Sequence, residues 1–242
     1  MIDLDRDGAR WRVTLNRPDK ANALSLAMLT RLDEIFKSAA ADPDLRLLVV
    51  TGAGTRVFSA GADLGEARDA TAITTHPVWE SVSSRLAALP CLTVAALNGT
   101  LAGGGFGLAL ACDLRLAVPE ARFFYPVLKN GFLPQPSDVG RLHTLIGPAR
   151  CKMILLAGQK IDAPTALAWG LIERIVPRAD MAAEIDTLSA PALSADPAAL
   201  VAIKRMIRPA LPADTHADCL AAVYGRDRAA LVRLRRNGTG SG

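Results

Sequence analysis

The sequence is poor in the residues that build metal centres and disulfide frameworks. Its four cysteines, Cys91, Cys112, Cys151 and Cys219, include no Cys-x-x-Cys pair, and its three histidines, His76, His143 and His216, are as widely spread. That spacing predicts reduced, mostly buried thiols and no metal site. Aromatic residues make up 5% of the chain, so the core has to be assembled from alanine, leucine and valine. No apolar run approaches the ~20 residues that span a bilayer. Met1 to Arg6 lack signal-peptide organisation, and these readings together predict a cytoplasmic protein with no membrane partner. A net charge of +4 suits a small anionic ligand and does not by itself argue for nucleic acid.

What is present is a regular alternation of strand and helix text. Trp11–Leu15 alternates apolar and polar residues, the period of a half-buried strand, and Asn16-Arg-Pro-Asp-Lys20 is turn chemistry. Ser25 reads as the N-cap of a helix with Leu26, Leu29, Leu32, Ile35 and Phe36 on one face. Leu45–Val50 is a near-continuous apolar run, as expected of a parallel strand covered on both sides. Ala67–Pro77 has no period and reads as a mobile loop. A helix carrying Val78, Trp79, Val82, Leu86 and Leu89 follows, then strands over Cys91–Leu97, Leu114–Val118 and Arg122–Phe124. Helices are expected over 138–146, 148–156 and 164–169, then an apolar edge over 171–176. Beyond Pro177 the text is helical, with breaks expected at Pro191, Pro197, Pro209 and Pro212. Such alternation implies right-handed βαβ-type units, and the length of 242 residues implies one large domain, or one domain with a smaller appendage.

The most unusual stretch is Asn98-Gly-Thr-Leu-Ala-Gly-Gly-Gly-Phe-Gly107, running on to Asp113. Consecutive glycines allow close backbone approach, and the helix that follows offers free N–H groups. The stretch therefore suits an anion, or a carbonyl oxygen that becomes anionic during a reaction. The glycine spacing is not Gly-x-Gly-x-x-Gly, and no acidic residue follows in the required context, so a dinucleotide site is rejected.

Four segments together carry a resemblance: Asn16–Ser25, Phe58–Leu64, Asn98–Asp113 and Ala168–Pro177. In order and spacing they resemble the crotonase, or enoyl-CoA hydratase/isomerase, superfamily. The resemblance implies an α/β spiral of ββα units with two roughly perpendicular sheets and a helical C-terminal region that builds a homotrimer or a dimer of trimers. It divides the chain into a core over 1–185 and a helical region over 186–236, and the residues of 237–242 read as a disordered tail. It implies a coenzyme A thioester as partner, with coenzyme A part of the substrate and no separate cofactor. The thioester carbonyl would lie between the backbone N–H groups of Ala62 and Gly104. The adenine would rest against Ala23-Leu24 and the turn from Ala60 through Asp63 to Leu64, with Lys20 and Arg17 near the phosphates. Read as residues alone, Lys20 and Arg17 are solvated turn cations, and Asp63 is a helix cap. Tyr125, Phe132 and Leu133, with Phe124, would line the acyl pocket.

The same resemblance marks a departure. Hydratases of the family use two glutamates, and the matching positions hold Gly107 and Val127. Neither side chain can move a proton. Asp138, Tyr125, His76, His143 and Glu66 remain as candidate acids or bases. Asp138 reads as an N-cap for a helix over 139–146, or as a proton-transfer group; an isomerase aspartate of the family matches Gln135 instead. His76 and His143 read as a loop bystander and an ordinary helix histidine. The expected function is thioester enolate chemistry, with isomerisation favoured over hydration. A non-catalytic acyl-CoA binder is the alternative. RNA binding rests only on Arg226, Arg228, Arg233, Arg235 and Arg236, which no aromatic residue interleaves, so a solvated helix face, or a face meeting CoA phosphates across a subunit boundary, is preferred.

Overall fold

A computed structural model describes residues 1–65 and 73–207. Strand β1 (Ile2–Asp7) pairs antiparallel with β2 (Arg10–Leu15), whose inward residues Trp11, Val13 and Leu15 are buried. Helix α1 (Leu26–Ala41) starts where Ser25 Oγ accepts the Met28 N–H at 3.2 Å. Its buried face is Met28, Leu29, Leu32, Ile35, Phe36 and Ala39, while Leu26, expected on that face, is exposed. Replacing Ser25 by alanine should lower stability by about 1 kcal/mol, read as a shift of the denaturant midpoint, because one helix N–H loses its acceptor.

The chain then alternates between two sheets. After β3 (Leu47–Gly52) come β4 (Val57–Ser59) and α2 (Val78–Ala88); after β5 (Leu92–Leu97) come β6 (Thr100–Ala102) and α3 (Gly105–Ala111). The third turn is β7 (Leu114–Ala117), β8 (Arg122–Phe124), α4 (Val127–Asn130) and α5 (Pro136–Leu155). The pattern closes with β9 (Ile161–Asp162), α6 (Ala163–Trp169), β10 (Arg174–Ile175) and α7 (Met181–Ser194). The pairs β3/β4, β5/β6 and β7/β8 each give the first strand to a six-stranded sheet, ordered β1-β2-β3-β5-β7-β10, and the second to a four-stranded sheet, ordered β4-β6-β8-β9; in the closing pair the order is reversed. From β2 to β10 the large sheet is parallel, and in the small sheet only β9 runs antiparallel. This is the spiral of ββα units that the sequence resemblance implied.

Both faces of the large sheet are covered, which explains the unbroken apolar text of β3. Leu48 and Val50 face a core that contains Phe36, Phe58, Phe106 and Phe123, all fully buried. Leu47 and Val49 face a second cluster with Val94, Leu116, Val176 and Ile185, against which Met181 and Leu188 pack. Gly147, at φ 77°, breaks α5 just before Pro148, so the expected pair of helices is present. Pro191 lies inside α7 and does not end it, contrary to the break expected there.

The chain divides into compact units at Leu193/Ser194, and the described part of the second unit is helix α8 (Pro197–Met206), capped by Asp196. Among the described residues no helix is long and apolar enough to cross a membrane. Pro209, Pro212, His216, Cys219, the C-terminal arginines and the 237–242 tail lie outside the described residues, as do Glu66 and most of the Ala67–Pro77 loop.

Candidate active site

The site begins with a strained turn. Ala21 and Asn22 both have left-handed backbone (φ 51° and 53°), which is uncommon for residues other than glycine. Asn22 holds the turn from inside the protein. Its Oδ1 accepts the Arg17 N–H at 2.9 Å, and its Nδ2 donates to the carbonyls of Ala53 (3.0 Å) and Val57 (2.8 Å). The turn lays Ala23-Leu24 beside the segment after β4. Ala60 N–H bonds to Ala21 O at 3.0 Å, Leu24 N–H to Gly61 O at 2.7 Å, and Asp63 N–H to Leu24 O at 2.9 Å. In this parallel bridge the flanking residues 61 and 63 make both bonds to Leu24, so Ala62 directs its own N–H elsewhere. Among the described residues it has no partner.

The second unpaired donor comes from the glycine stretch. Gly103 (φ 51°) donates to Phe124 O at 3.2 Å, and the Gly103 and Gly104 carbonyls accept from Phe106 and Gly107 as α3 begins. The Gly104 N–H has no partner among the described residues. The two donors are held together by tight packing at Gly61 (φ 93°). A Cβ there would lie 2.7 Å from the Gly104 nitrogen and 3.1 Å from Ala102 O. Gly104 is backed by Trp79, whose ring would be 2.9 Å from a Cβ on that glycine; the Trp79 indole N–H donates to Ile73 O at 2.7 Å.

Ala62 and Gly104 line a pocket of about 550 Å³ that includes its open mouth. Ala60, Leu64, Tyr125, Phe132 and Leu133, all expected at the substrate, line it too. Gln135, the position matched to a family isomerase aspartate, is also in the lining, whereas sequence reasoning missed Trp79, Thr74 and Asn130. A tryptophan at helical core spacing gave no signal of its second role. Lys20, Ala23, Leu24 and Asp63 are not in its lining. Lys20 is exposed on the neighbouring turn, and Leu24 is fully buried. One Asp63 carboxylate oxygen accepts the Gly65 N–H at 3.0 Å, and the other pairs with the Arg17 guanidinium; the residues it was expected to cap lie outside the described ones. Arg17 is therefore tied to a carboxylate rather than standing as a solvated cation.

Asp138 does not cap a helix. Helix α5 starts at Pro136 with Gln135 at the cap position, and Asp138 sits in its first turn, 1% exposed. Its Oδ2 accepts the Tyr125 hydroxyl at 2.9 Å, and its Oδ1 is buried without a partner among the described residues. The space it fills is opened by Gly107, where a Cβ would lie 3.1 Å from Oδ1. Burial pushes the Asp138 carboxyl up to about 7, against the pull of the Tyr125 hydroxyl and the Arg141 guanidinium; Glu80 adds to the rise. Burial also raises the Tyr125 phenol, and the Asp138 charge raises it further. Gln135 donates to Thr74 O at 2.8 Å. His76 is half-buried, its Nδ1 accepting the Val78 N–H at 3.1 Å, and His143 is exposed.

The shift of Asp138 carries a stability consequence with a defined sign. Its folded pKa is raised from 3.8 to about 7, so the folded state binds more protons across that interval. Stability attributable to this group is full below about pH 4 and declines as pH rises towards 7. Asp138→Asn should flatten that decline and raise the melting temperature at pH 8, as scanning calorimetry of both proteins at pH 5 and pH 8 would show.

Two unpaired N–H groups converging on one largely apolar pocket match what a thioester carbonyl needs as it gains charge. The profile of the family described as Enoyl-CoA hydratase/isomerase matches residues 7–223. Carnitinyl-CoA dehydratase of Escherichia coli K12 is 34% identical over 212 residues, covering 86% of this chain and 80% of that protein. The crystal structure of enoyl-CoA hydratase from Bacillus anthracis superposes with a TM-score of 0.88 at 27% identity, covering 97% of this chain and 94% of that one. An enoyl-CoA hydratase/carnithine racemase from Magnetospirillum magneticum superposes at 0.86 with 31% identity, covering 98% and 92%. With the profile spanning most of the sequence and the spiral present turn for turn, the chain belongs to the enoyl-CoA hydratase/isomerase family of the crotonase superfamily.

Proposed function

We propose that the protein binds an acyl-CoA thioester and stabilises its enolate between the N–H groups of Ala62 and Gly104, with isomerisation or related enolate chemistry favoured over hydration. The observation that carries this reading is the pair of unpartnered donors lining one pocket. A thioester carbonyl placed there gains most as its oxygen becomes anionic, and each such donor is worth about 3–4 kcal/mol to the transition state. Hydration also needs a group to activate water and a group to protonate carbon. The two positions that would supply them by family resemblance hold Gly107, buried against Asp138, and Val127, an apolar wall. Among the described residues Tyr125 lines the pocket and Asp138 is bonded to its hydroxyl, a pair fitted to moving one proton between two carbons.

The similarity to carnitinyl-CoA dehydratases supports a CoA thioester as substrate. Assays with crotonyl-CoA and with 3-hexenoyl-CoA test the reading together. The expected result is isomerisation of the 3-enoyl thioester at least about tenfold faster than hydration of crotonyl-CoA. Fast hydration would reverse the preference. Tight calorimetric binding without turnover of either would support the second reading, a non-catalytic acyl-CoA binder, which the loss of both glutamate positions also favours.

A further inference from the structure

We propose that Tyr125 is the group that exchanges a proton with the bound substrate, and that Asp138 is its positioning residue and proton store behind the pocket wall. This rests on the reading that the pocket holds a thioester enolate.

Three observations carry it. Tyr125 lines the pocket and Asp138 does not, so of the two bonded groups Tyr125 is the one at the pocket wall. That hydroxyl is bonded to the carboxylate at 2.9 Å, and the ring is fixed by stacking on Phe106, with centroids 5.2 Å apart and planes at 22°. Asp138 keeps one oxygen buried and unpartnered among the described residues, an arrangement that costs stability and calls for a use. Gly107 makes the arrangement possible, since any side chain there would press on that oxygen. The position that resemblance gives to a hydratase acid has become the room for an acid from another helix.

The charged and titratable groups facing Asp138 come from three directions. Helix α2 presents Glu80, whose carboxylate accepts the Ser137 N–H (3.2 Å) and hydroxyl (3.0 Å). Helix α5 itself presents Arg141, whose guanidinium donates to Ser83. The segment after β8 presents Tyr125. Helix α3 presents only Gly107, whose carbonyl accepts the Ser83 hydroxyl at 3.1 Å. Arg141 and Glu80 act on the carboxylate with opposite signs, so burial decides its charge near neutral pH.

The step balances without a co-reactant. The C–H bond next to the thioester carbonyl breaks, and its electron pair passes into the enolate, whose oxygen is held by Ala62 and Gly104. The proton joins the Tyr125 oxygen while the tyrosine's own proton moves to Asp138 Oδ2, leaving a neutral carboxylic acid. Reversal of both transfers at a carbon two bonds further along completes a double-bond shift.

The test follows exchange of the α-protons of butyryl-CoA in D2O by NMR, beside calorimetric binding of the same thioester, for the full chain and two variants. Removing protons requires the ionised carboxylate, so wild-type exchange should rise as pH passes through about 7 and then level. Tyr125→Phe, which keeps the stacked ring, should bind butyryl-CoA normally and exchange about 10²-fold or more slowly. Asp138→Asn, which keeps the shape and an acceptor for the hydroxyl, should bind normally, slow exchange and lose its dependence on pH. Wild-type exchange rates in Tyr125→Phe would overturn the proposal, and if Asp138→Asn alone were inactive the proton would belong to Asp138 directly. Binding without exchange in the wild type would overturn it while leaving the thioester site intact. Absence of binding would remove the site reading itself.

Discussion

Replacing Gly61 by alanine should lower thioester turnover by about 10²–10³-fold, the effect of losing one oxyanion donor. The new methyl would lie 2.7 Å from the Gly104 nitrogen, well inside van der Waals contact, so it either covers that N–H or drives the glycine stretch away from Ala62. Gly61 also has φ 93°, where alanine is strained, and the variant should lose stability by more than ~1 kcal/mol. Gly158→Ala separates the two effects. Gly158 has φ 64° and nothing within 4 Å of the place a methyl would take, so that variant carries the backbone strain with no crowding. Melting temperatures should fall in both, and turnover should collapse only in Gly61→Ala. Equal turnover in the two variants would show that Gly61 is a turn residue and no more.

Gly107→Glu, the substitution that restores the residue a family hydratase would carry, should fail to create a hydratase. Its Cβ alone would stand 3.1 Å from a carboxylate oxygen that already lacks a partner among the described residues, and the added carboxylate would bring a second negative charge to a buried one. Like charges in such a setting cannot both ionise cheaply, and a loss of about 3 kcal/mol or more in stability is expected from the unpaired buried charge and overpacking. The double variant Gly107→Glu/Asp138→Ala removes the conflict and should recover much of that loss. Denaturant unfolding of the single and double variants measures the coupling, which should be large because the two side chains compete for one space. A stable Gly107→Glu protein that hydrates crotonyl-CoA would mean that Asp138 does not own this space.

Much of this site is legible in the sequence because its donors are backbone groups, and backbone donors leave a signature of small residues in fixed order. The glycine stretch around Gly104 stands out that way, the family resemblance supplies Ala62 and Gly104 as the pair, and β3 is legible as an unbroken apolar run because both faces of its sheet are covered. Strand β1 is not legible. It lies at the sheet edge, and apart from Ile2 and Leu4 its residues are charged and exposed, which suits an edge and hides a strand. Strands β4, β6 and β9, two or three residues each, have no period to read; they exist because successive turns of the spiral bring them side by side. Asp138 reads wrongly as a cap because Pro-Ser-Asp is helix-start text. The helix starts two residues earlier, and what frees the carboxyl is Gly107, far back in the chain on another helix. The support given to the turn by Asn22, and the pairing of Arg17 with Asp63, are likewise contacts between segments that local sequence does not announce.

Ala62 and Gly104 holding the thioester carbonyl together is the central claim, and a crystal structure with a bound, non-reacting acyl-CoA analogue tests it most directly. The thioester oxygen is expected within about 2.7–3.1 Å of both backbone nitrogens, with the acyl group running past Tyr125 towards Phe132 and Leu133. A thioester oxygen bonded to other groups, with either N–H still unpaired, would contradict it.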